Sequence, residues 1–156
     1  MHSSTGSIYF AGMPPECWKE FDLVINCGSQ QYPNVDEEKR YLYLPIPEGK
    51  KGQFALKECI PSVLDFYNAY GVRKKVLIHC MQGRDRSVSV AVAILARFFR
   101  PTASGDLVST ENDSKEFVVH DKESLRGLLL FIQQYRHEAN PCRAFLKRLN
   151  ELFIDQ

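Results

Sequence analysis

Cys80 and Arg86 are a potential nucleophile and an anion-binding cation separated by five residues. They follow the apolar run 76–78, which is typical of a short buried strand, and precede the apolar stretch 88–99, which is long enough for a buried helix. A loop in this position turns backbone N–H groups and the helix N-terminus toward one point and so suits an anion. Such surroundings favour the Cys80 thiolate, while Arg86 offers a planar fork to two phosphate oxygens. Gly83 permits a turn that other residues resist, so the segment predicts a nucleophile facing a tetrahedral anion.

The loop resembles the His-Cys-x5-Arg-Ser signature of the cysteine-dependent tyrosine and dual-specificity phosphatases. Its four anchors are present as His79, Cys80, Arg86 and Ser87. The resemblance implies that Cys80 attacks phosphorus to give a phosphocysteine, while Arg86 and the loop amides hold the equatorial oxygens. It also implies that Ser87 stabilises the departing thiolate and that His79 supports the thiolate state. The implied phosphate-binding residues are Met81, Gln82, Gly83, Arg84, Asp85 and Arg86. The alternative is a buried structural cysteine beside an incidental arginine.

A general acid is expected in the Pro- and Gly-rich loop 45–52. In dual-specificity phosphatases the loop after the corresponding strand carries the acid, usually an Asp, and the resemblance puts Glu48 there. A carboxyl group held above the pocket can protonate the leaving oxygen. The alternative for Glu48 is a solvated carboxylate beside neighbouring lysines. Asp85 is a second candidate acid, unless it pairs with Arg84 or points away.

Length and composition predict one soluble domain. We expect no cofactor or metal, since Arg86 and the loop amides would supply the charge stabilisation. The 156 residues are 44% hydrophobic and 25% charged, with a net charge of +1, so bulk attraction to nucleic acid is weak. Five cysteines without short paired spacing predict neither a zinc site nor a disulfide framework. They fit a reducing compartment, which we expect to be the cytoplasm, with the nucleus as the alternative. The sequence has no signal-peptide core and no run long enough for a membrane span, so we expect no membrane contact.

The remaining cysteines and histidines are assigned to structure. Packing is predicted for Cys17, Cys27, Cys59 and Cys142, and a surface position for His2, His120 and His137.

The other elements must build a sheet behind the loop and cover it with helices. Further strands are predicted at 8–10, 23–27 and 41–44, with a helical turn at 17–21. Apolar spacing predicts a helix over 54–70 that stops at Gly71. Asp121 is an N-cap for a helix through about Tyr135, and Asn140-Pro141 is expected to start the last helix. The polar stretch at about 101–119 reads as a surface insertion.

These elements predict an α/β domain over residues 1–156. Its central mixed sheet of four to five strands is flanked by helices on both faces, as in the phosphotyrosine phosphatase fold of the dual-specificity type.

A narrower resemblance rests on five short pieces: Gly-Met-Pro-Pro-Glu-Cys-Trp18, Leu-Pro-Ile-Pro-Glu-Gly-Lys50, Gly-Arg-Asp-Arg-Ser-Val-Ser-Val90, Asp-Lys-Glu-Ser-Leu-Arg126 and Ala-Asn-Pro-Cys-Arg-Ala-Phe-Leu146. They are similar to the C-terminal, phosphatase-like domain of the initiator-tRNA 2′-O-ribosyl phosphate transferases. That family commonly has Gly-Lys-Asp-x-Ser in the loop and need not keep the catalytic Arg, which is present here as Arg86. The chain lacks the large N-terminal part of the transferase, so we expect a free-standing member or a fragment of one.

Three functions follow from these patterns. The first is a phosphomonoester hydrolase acting on a phosphorylated protein, an RNA end or an inositol phosphate, and the charge of Arg84 mildly favours a polyanion. The second is a domain that binds phosphates of tRNA without hydrolysis through a basic face. That face would contain Lys50, Lys51, Arg84, Arg143, Lys147 and Arg148. The near-zero net charge instead favours ordinary solvated charges at these positions. The third is an interaction domain with a vestigial pocket, and in each case we expect a monomer.

Overall fold

A computed structural model of the chain describes residues 2–3, 6–11, 20–32, 40–101, 103–104, 106–109 and 121–154. The main sheet of these residues has five strands in the order β1-β2-β5-β3-β4. Its strands are β1 (His2–Ser3), β2 (Gly6–Ala11), β3 (Leu23–Asn26), β4 (Arg40–Tyr43) and β5 (Lys75–His79). The two-residue β1 is antiparallel to β2, and the four longer strands are mutually parallel. The predicted mixed sheet and α/β class are confirmed.

In the described part of the chain four α-helices accompany the sheet: α1 (Gln53–Tyr70), α2 (Arg86–Phe98), α3 (Lys122–Tyr135) and α4 (Arg143–Phe153). A short 3-10 turn, Gly49–Gly52, precedes α1. The α2 helix is buried from Arg86 to Ala96, because its small and β-branched side chains let it lie centrally in the core. No helix in the described ranges is both long and apolar enough to cross a membrane.

The helices described here pack on one face of the sheet. Alternate side chains of β3 and β5, such as Ile25 and Ile78, join one buried cluster with residues of all four helices. The opposite face carries Val24 and Leu77, which cluster with Phe21. This differs from the prediction of helices on both faces. The helical turn predicted at 17–21 lies mostly outside the described residues.

Two predicted boundaries are wrong. The last helix begins at Arg143 with Cys142 as its N-cap, rather than at Asn140-Pro141. The Asn140 and Cys142 N–H groups bond to the segment around Arg84 instead. The α2 helix ends at Phe98, and the chain continues as β6 (Phe99–Pro101), which pairs antiparallel with β7 (Leu107–Ser109). Part of the predicted insertion is therefore a hairpin, and residues 110–120 lie outside the described ranges.

The N-cap prediction for α3 is confirmed, and α3 also supplies a stability test. Asp121 Oδ1 accepts a hydrogen bond from Ser124 N at 2.7 Å. Gly127, exposed on the same helix, has open space where a Cβ would stand.

Replacing Gly127 by alanine should stabilise the protein. Alanine has the higher helix propensity, and the substitution meets no obstacle, so the free energy of unfolding should rise by about 1 kcal/mol in urea titrations. Gly71→Ala is the matched control, because its Cβ would lie 2.5 Å from the Tyr67 ring. That variant should be destabilised. A lower unfolding free energy for Gly127→Ala would contradict this account of α3.

Candidate active site

The candidate site forms where the parallel strands β3 and β5 end. The pairing places Asn26 opposite His79, and Cys27 N donates to His79 O at 2.7 Å. Because the register continues, Cys27 and Cys80 leave the sheet side by side. The carboxyl ends of neighbouring parallel strands are a common position for ligand sites. Residues 80–86, called the Cys80 loop below, connect this edge to α2.

The Cys80 sulfur lies inside its own loop. Gly83 N donates to Cys80 Sγ at 3.2 Å, and Ser87 Oγ lies 3.2 Å from the same sulfur. Gly83 has a φ of +66°, which confirms the predicted need for glycine in this turn. Cys80 is 3% exposed, so the sulfur is shielded while it keeps two polar neighbours. Both neighbours can stabilise a thiolate.

Arg86 and Glu48 meet in one cleft beside the loop. The cleft, about 310 Å³, is lined by Ser29, Tyr43, Pro45, Ile46, Pro47, Glu48, Met81 and Arg86. Arg86 is 4% exposed and donates through Nη1 to Ile46 O at 3.0 Å. Glu48 is solvent-exposed. The structure therefore brings together the predicted cation and the predicted acid, at the rim of the Cys80 loop.

The loop that carries Glu48 is held by a close backbone contact. A Cβ on Gly52 would lie 1.9 Å from the Pro47 carbonyl oxygen. Only glycine allows this approach without moving the backbone next to Glu48. The sequence indicated a turn at Gly52, but it gave no sign that the glycine touches the residue before the acid.

Asp85 does not line the cleft. Its Oδ1 accepts a hydrogen bond from Cys142 N at 3.1 Å, next to the start of α4. Burial raises the Asp85 pKa, although the bonds from Cys142 and the Arg86 charge oppose this. Of the alternatives for Asp85, the structure selects the one in which the side chain points away. Its role as an alternative acid stays a prediction, and in this structure the carboxylate joins the loop to α4. The Asp85 N–H remains a predicted phosphate ligand.

Sequence reasoning missed Arg136, which binds the outer side of the Cys80 loop. Its Nε donates to Gly83 O at 2.7 Å and its Nη2 to Gln82 O at 2.9 Å. The partners are backbone carbonyls 53 and 54 positions away. Only the position of Arg136 at the end of a predicted helix could have drawn attention to it. The side chains of Gln82 and Arg84 are exposed.

His79 faces the other side of the sheet. Its Nε2 is hydrogen-bonded to the Tyr32 hydroxyl, and the two rings stack with centroids 5.4 Å apart. Burial lowers the His79 pKa to about 4, although the Cys80 backbone opposes this. Burial also raises the pKa of Tyr32, so the phenol beside the imidazole stays protonated. A neutral imidazole adds no positive charge beside Cys80. The predicted support of the thiolate by His79 would have to act through the backbone.

The other cysteines mostly fit their predicted packing roles. Cys27 is fully buried, and burial followed by the neighbouring Cys80 thiol raises its pKa. Cys59 and Cys142 are half-buried, and burial raises the Cys59 pKa to about 11. His137 is exposed as predicted. Cys17 and His120 lie outside the described residues, as does the side chain of His2.

Comparison with known proteins identifies relatives in sequence and in structure. Residues 40–153 match the sequence profile described as the Rit1 DUSP-like domain, which confirms the narrower resemblance. The Yvh1 phosphatase domain from Chaetomium thermophilum is 18% identical with a TM-score of 0.65, over 91% of this chain and 87% of that one. DUSP15 is 16% identical with a TM-score of 0.65, over 96% and 88%. Tk-PTP in the active form is 24% identical with a TM-score of 0.58, over 93% and 90%. No curated protein matches the chain in sequence. The fold is that of the dual-specificity phosphatases.

The environment of His79 makes stability depend on pH. The ordinary histidine pKa is 6.5 and the folded value is about 4, so the unfolded chain binds a proton that the folded protein excludes. The stabilisation is present above pH 6.5 and is lost as the pH falls toward 4. His79→Gln should therefore show a shallower fall in unfolding free energy over this range in urea titrations. The exposed His137→Gln should keep the wild-type slope, and an unchanged slope in His79→Gln would refute the neutral buried imidazole.

Proposed function

This chain belongs to the Rit1 DUSP-like domain family, and we propose that it is a phosphomonoester hydrolase acting through a phosphocysteine on Cys80. One observation carries the proposal. The Cys80 sulfur lies 3.2 Å from both the Gly83 amide nitrogen and the Ser87 hydroxyl oxygen, beside a cleft that contains Arg86 and Glu48. The fold shared with solved phosphatases supports it. The proposed substrates are phosphorylated proteins or other phosphomonoesters.

In the first step the Cys80 thiolate attacks phosphorus, and the bond from phosphorus to the leaving oxygen breaks. Glu48, protonated, gives its proton to that oxygen. Arg86 and the loop amides bind the three equatorial oxygens as their charge grows. A guanidinium has five N–H donors, and Arg86 uses one on Ile46 O. Donors therefore remain for a bidentate contact with phosphate.

In the second step water attacks the phosphorus of the phosphocysteine. The Glu48 carboxylate accepts the proton from this water, and the sulfur–phosphorus bond breaks. Cys80 departs as a thiolate, which the Ser87 hydroxyl stabilises by donating a hydrogen bond to sulfur. Inorganic phosphate is released, and both Glu48 and Cys80 return to their starting protonation states.

A second candidate function is a phosphate- or tRNA-binding domain with little hydrolysis. The family match favours it, as do five exposed cations, namely Lys50, Lys51, Arg84, Arg143 and Lys147. The α4 helix packs against the 3-10 turn that carries the two lysines, so Lys50, Lys51, Arg143 and Lys147 belong to adjacent elements. Arg148 contributes less, since it is paired with Glu151 at 3.1 Å. Such a surface could follow a nucleic-acid backbone.

The wild-type protein should hydrolyse p-nitrophenyl phosphate weakly and be inhibited by vanadate. Cys80→Ser should reduce turnover to background, because the hydroxyl is a far poorer nucleophile at neutral pH. Cys59→Ser is the matched control, since this half-buried thiol bonds to Leu56 O inside α1, and it should retain activity. A folded wild-type protein without turnover, together with tRNA binding that weakens as salt rises, would establish the second candidate instead.

Glu48→Gln should slow hydrolysis of phenyl phosphate more than that of p-nitrophenyl phosphate. The poorer leaving group depends more on protonation, and loss of a general acid costs roughly 10²-fold or more. Rates for the two esters should be compared in the variant, in the wild type and in the exposed Glu58→Gln control. Equal slowing of both esters would remove Glu48 from the acid role.

A further inference from the structure

The connection between α3 and α4 encloses the outer side of the Cys80 loop. This connection, residues 136–142, is called the outer clamp below. Asn140 N donates to Arg84 O at 2.7 Å. Together with the two bonds from Arg136, it engages the carbonyl oxygens of three consecutive residues, 82, 83 and 84. The bond from Cys142 N to the Asp85 carboxylate extends the contact by one residue.

These outer bonds fix the direction of the inner amides. In a trans peptide unit the carbonyl of one residue and the N–H of the next point in opposite directions, and no described peptide bond is cis. Holding the Gln82 carbonyl outward therefore turns the Gly83 N–H inward, where it lies 3.2 Å from Cys80 Sγ. Holding the Gly83 and Arg84 carbonyls outward turns the next two N–H groups inward in the same way.

The Cys80 loop needs hydrogen bonds from outside to fix its peptide units, because a glycine lies at its centre. Gly83 has a φ of +66°, and glycine changes backbone conformation more freely than any other residue. A rotation of either peptide unit beside it would point a carbonyl at the sulfur. Arg136 contacts both units at once, through two nitrogens of one planar group. A side chain with a single donor could hold only one of them.

The clamp itself is well anchored. Arg136 ends α3, and its own N–H donates to Ile132 O at 3.0 Å. Ala139 is buried, and its carbonyl accepts a hydrogen bond from the Gln133 amide at 2.8 Å. Its N–H in turn donates to Arg136 O at 3.1 Å. The guanidinium is thus presented to the Cys80 loop from a backbone that is fixed on both sides.

We infer that Arg136 is a positioning residue that keeps the Gly83 and Arg84 N–H groups directed at the Cys80 sulfur and at a bound phosphate. The phosphate part of this role rests on the proposed function. The part that concerns the sulfur does not, because the Gly83 N–H contacts Cys80 Sγ directly.

The test compares Arg136→Gln and Arg136→Lys with Arg126→Gln, an exposed arginine on α3. Two readouts separate the inference from the proposed function. The rate of Cys80 alkylation by iodoacetamide at pH 7, with Cys80→Ser as background, reports on the sulfur environment. Turnover of p-nitrophenyl phosphate reports on catalysis, and thermal melting shows which variants are folded.

Arg136→Gln should slow Cys80 alkylation several-fold and lower kcat by roughly 10²-fold, the typical loss on removing one oxyanion donor. KM should change less, since the amides act most strongly on the transition state. Arg136→Lys should recover part of the alkylation rate and part of kcat, because an ammonium can reach one of the two carbonyls. Methylguanidinium added to Arg136→Ala should raise both rates, a rescue that a purely structural loss would not show. Arg126→Gln should match the wild type.

Wild-type alkylation and turnover in a folded Arg136→Gln would overturn the inference. If Arg136→Gln does not fold, Arg136→Lys replaces it in the test. Wild-type rates of alkylation and turnover in Arg136→Lys would then overturn the inference. Slower alkylation of the variant in a protein that never hydrolyses the ester would refute the proposed function but support the positioning role of Arg136.

Discussion

A loop that directs its backbone N–H groups at an anion has to direct its carbonyl oxygens the other way. Each of those carbonyls is a strong acceptor that needs a partner when water is displaced. In this protein the partners come from the connection between α3 and α4, through Arg136 and the Asn140 N–H. Residues 80–86 therefore cannot complete the Cys80 loop without residues that are distant in the sequence. Its inner geometry is set by residues of the C-terminal part.

The buried guanidinium of Arg86 likewise depends on a hydrogen bond to a residue distant in the sequence. A guanidinium that is 4% exposed would lose much of its hydration without a compensating bond. The Ile46 carbonyl supplies one at 3.0 Å, and Ile46 lies two positions before Glu48. The predicted acid and the predicted phosphate ligand are consequently held by one hydrogen bond between their segments. The close contact at Gly52 fixes the far end of the same turn.

The last residue of β5, His79, and the residue that follows it, Cys80, point to opposite sides of the sheet. Cys80 joins the large helical core and its own loop, whereas His79 bonds to Tyr32 on the opposite face. The alternation of side chains along a strand makes this separation unavoidable. Two adjacent residues of one sequence motif thus have different environments. The imidazole is neutral and stacked on Tyr32, while the thiol lies inside the Cys80 loop beside the Gly83 N–H and the Ser87 hydroxyl.

The sequence alone determined the features whose causes are local. The strand before Cys80, the glycine at 83, the helix that begins near Arg86 and the cap at Asp121 all follow from neighbouring residues, and the structure contains each of them. The α/β class followed from the order of these elements. The spacing of Cys80 and Arg86 suggested the chemistry.

Only the tertiary structure decided which residues complete the site. Arg136, the Ile46 carbonyl and the contact of Gly52 could not be read from the sequence, and neither could the outward direction of Asp85. Three of the hydrogen bonds involved, one from Arg86 and two from Arg136, are donated to backbone oxygens 40, 53 and 54 positions away. A carbonyl oxygen is present in every residue and leaves no mark on the sequence. Its role is set by where the chain folds back, which no local pattern of side chains specifies.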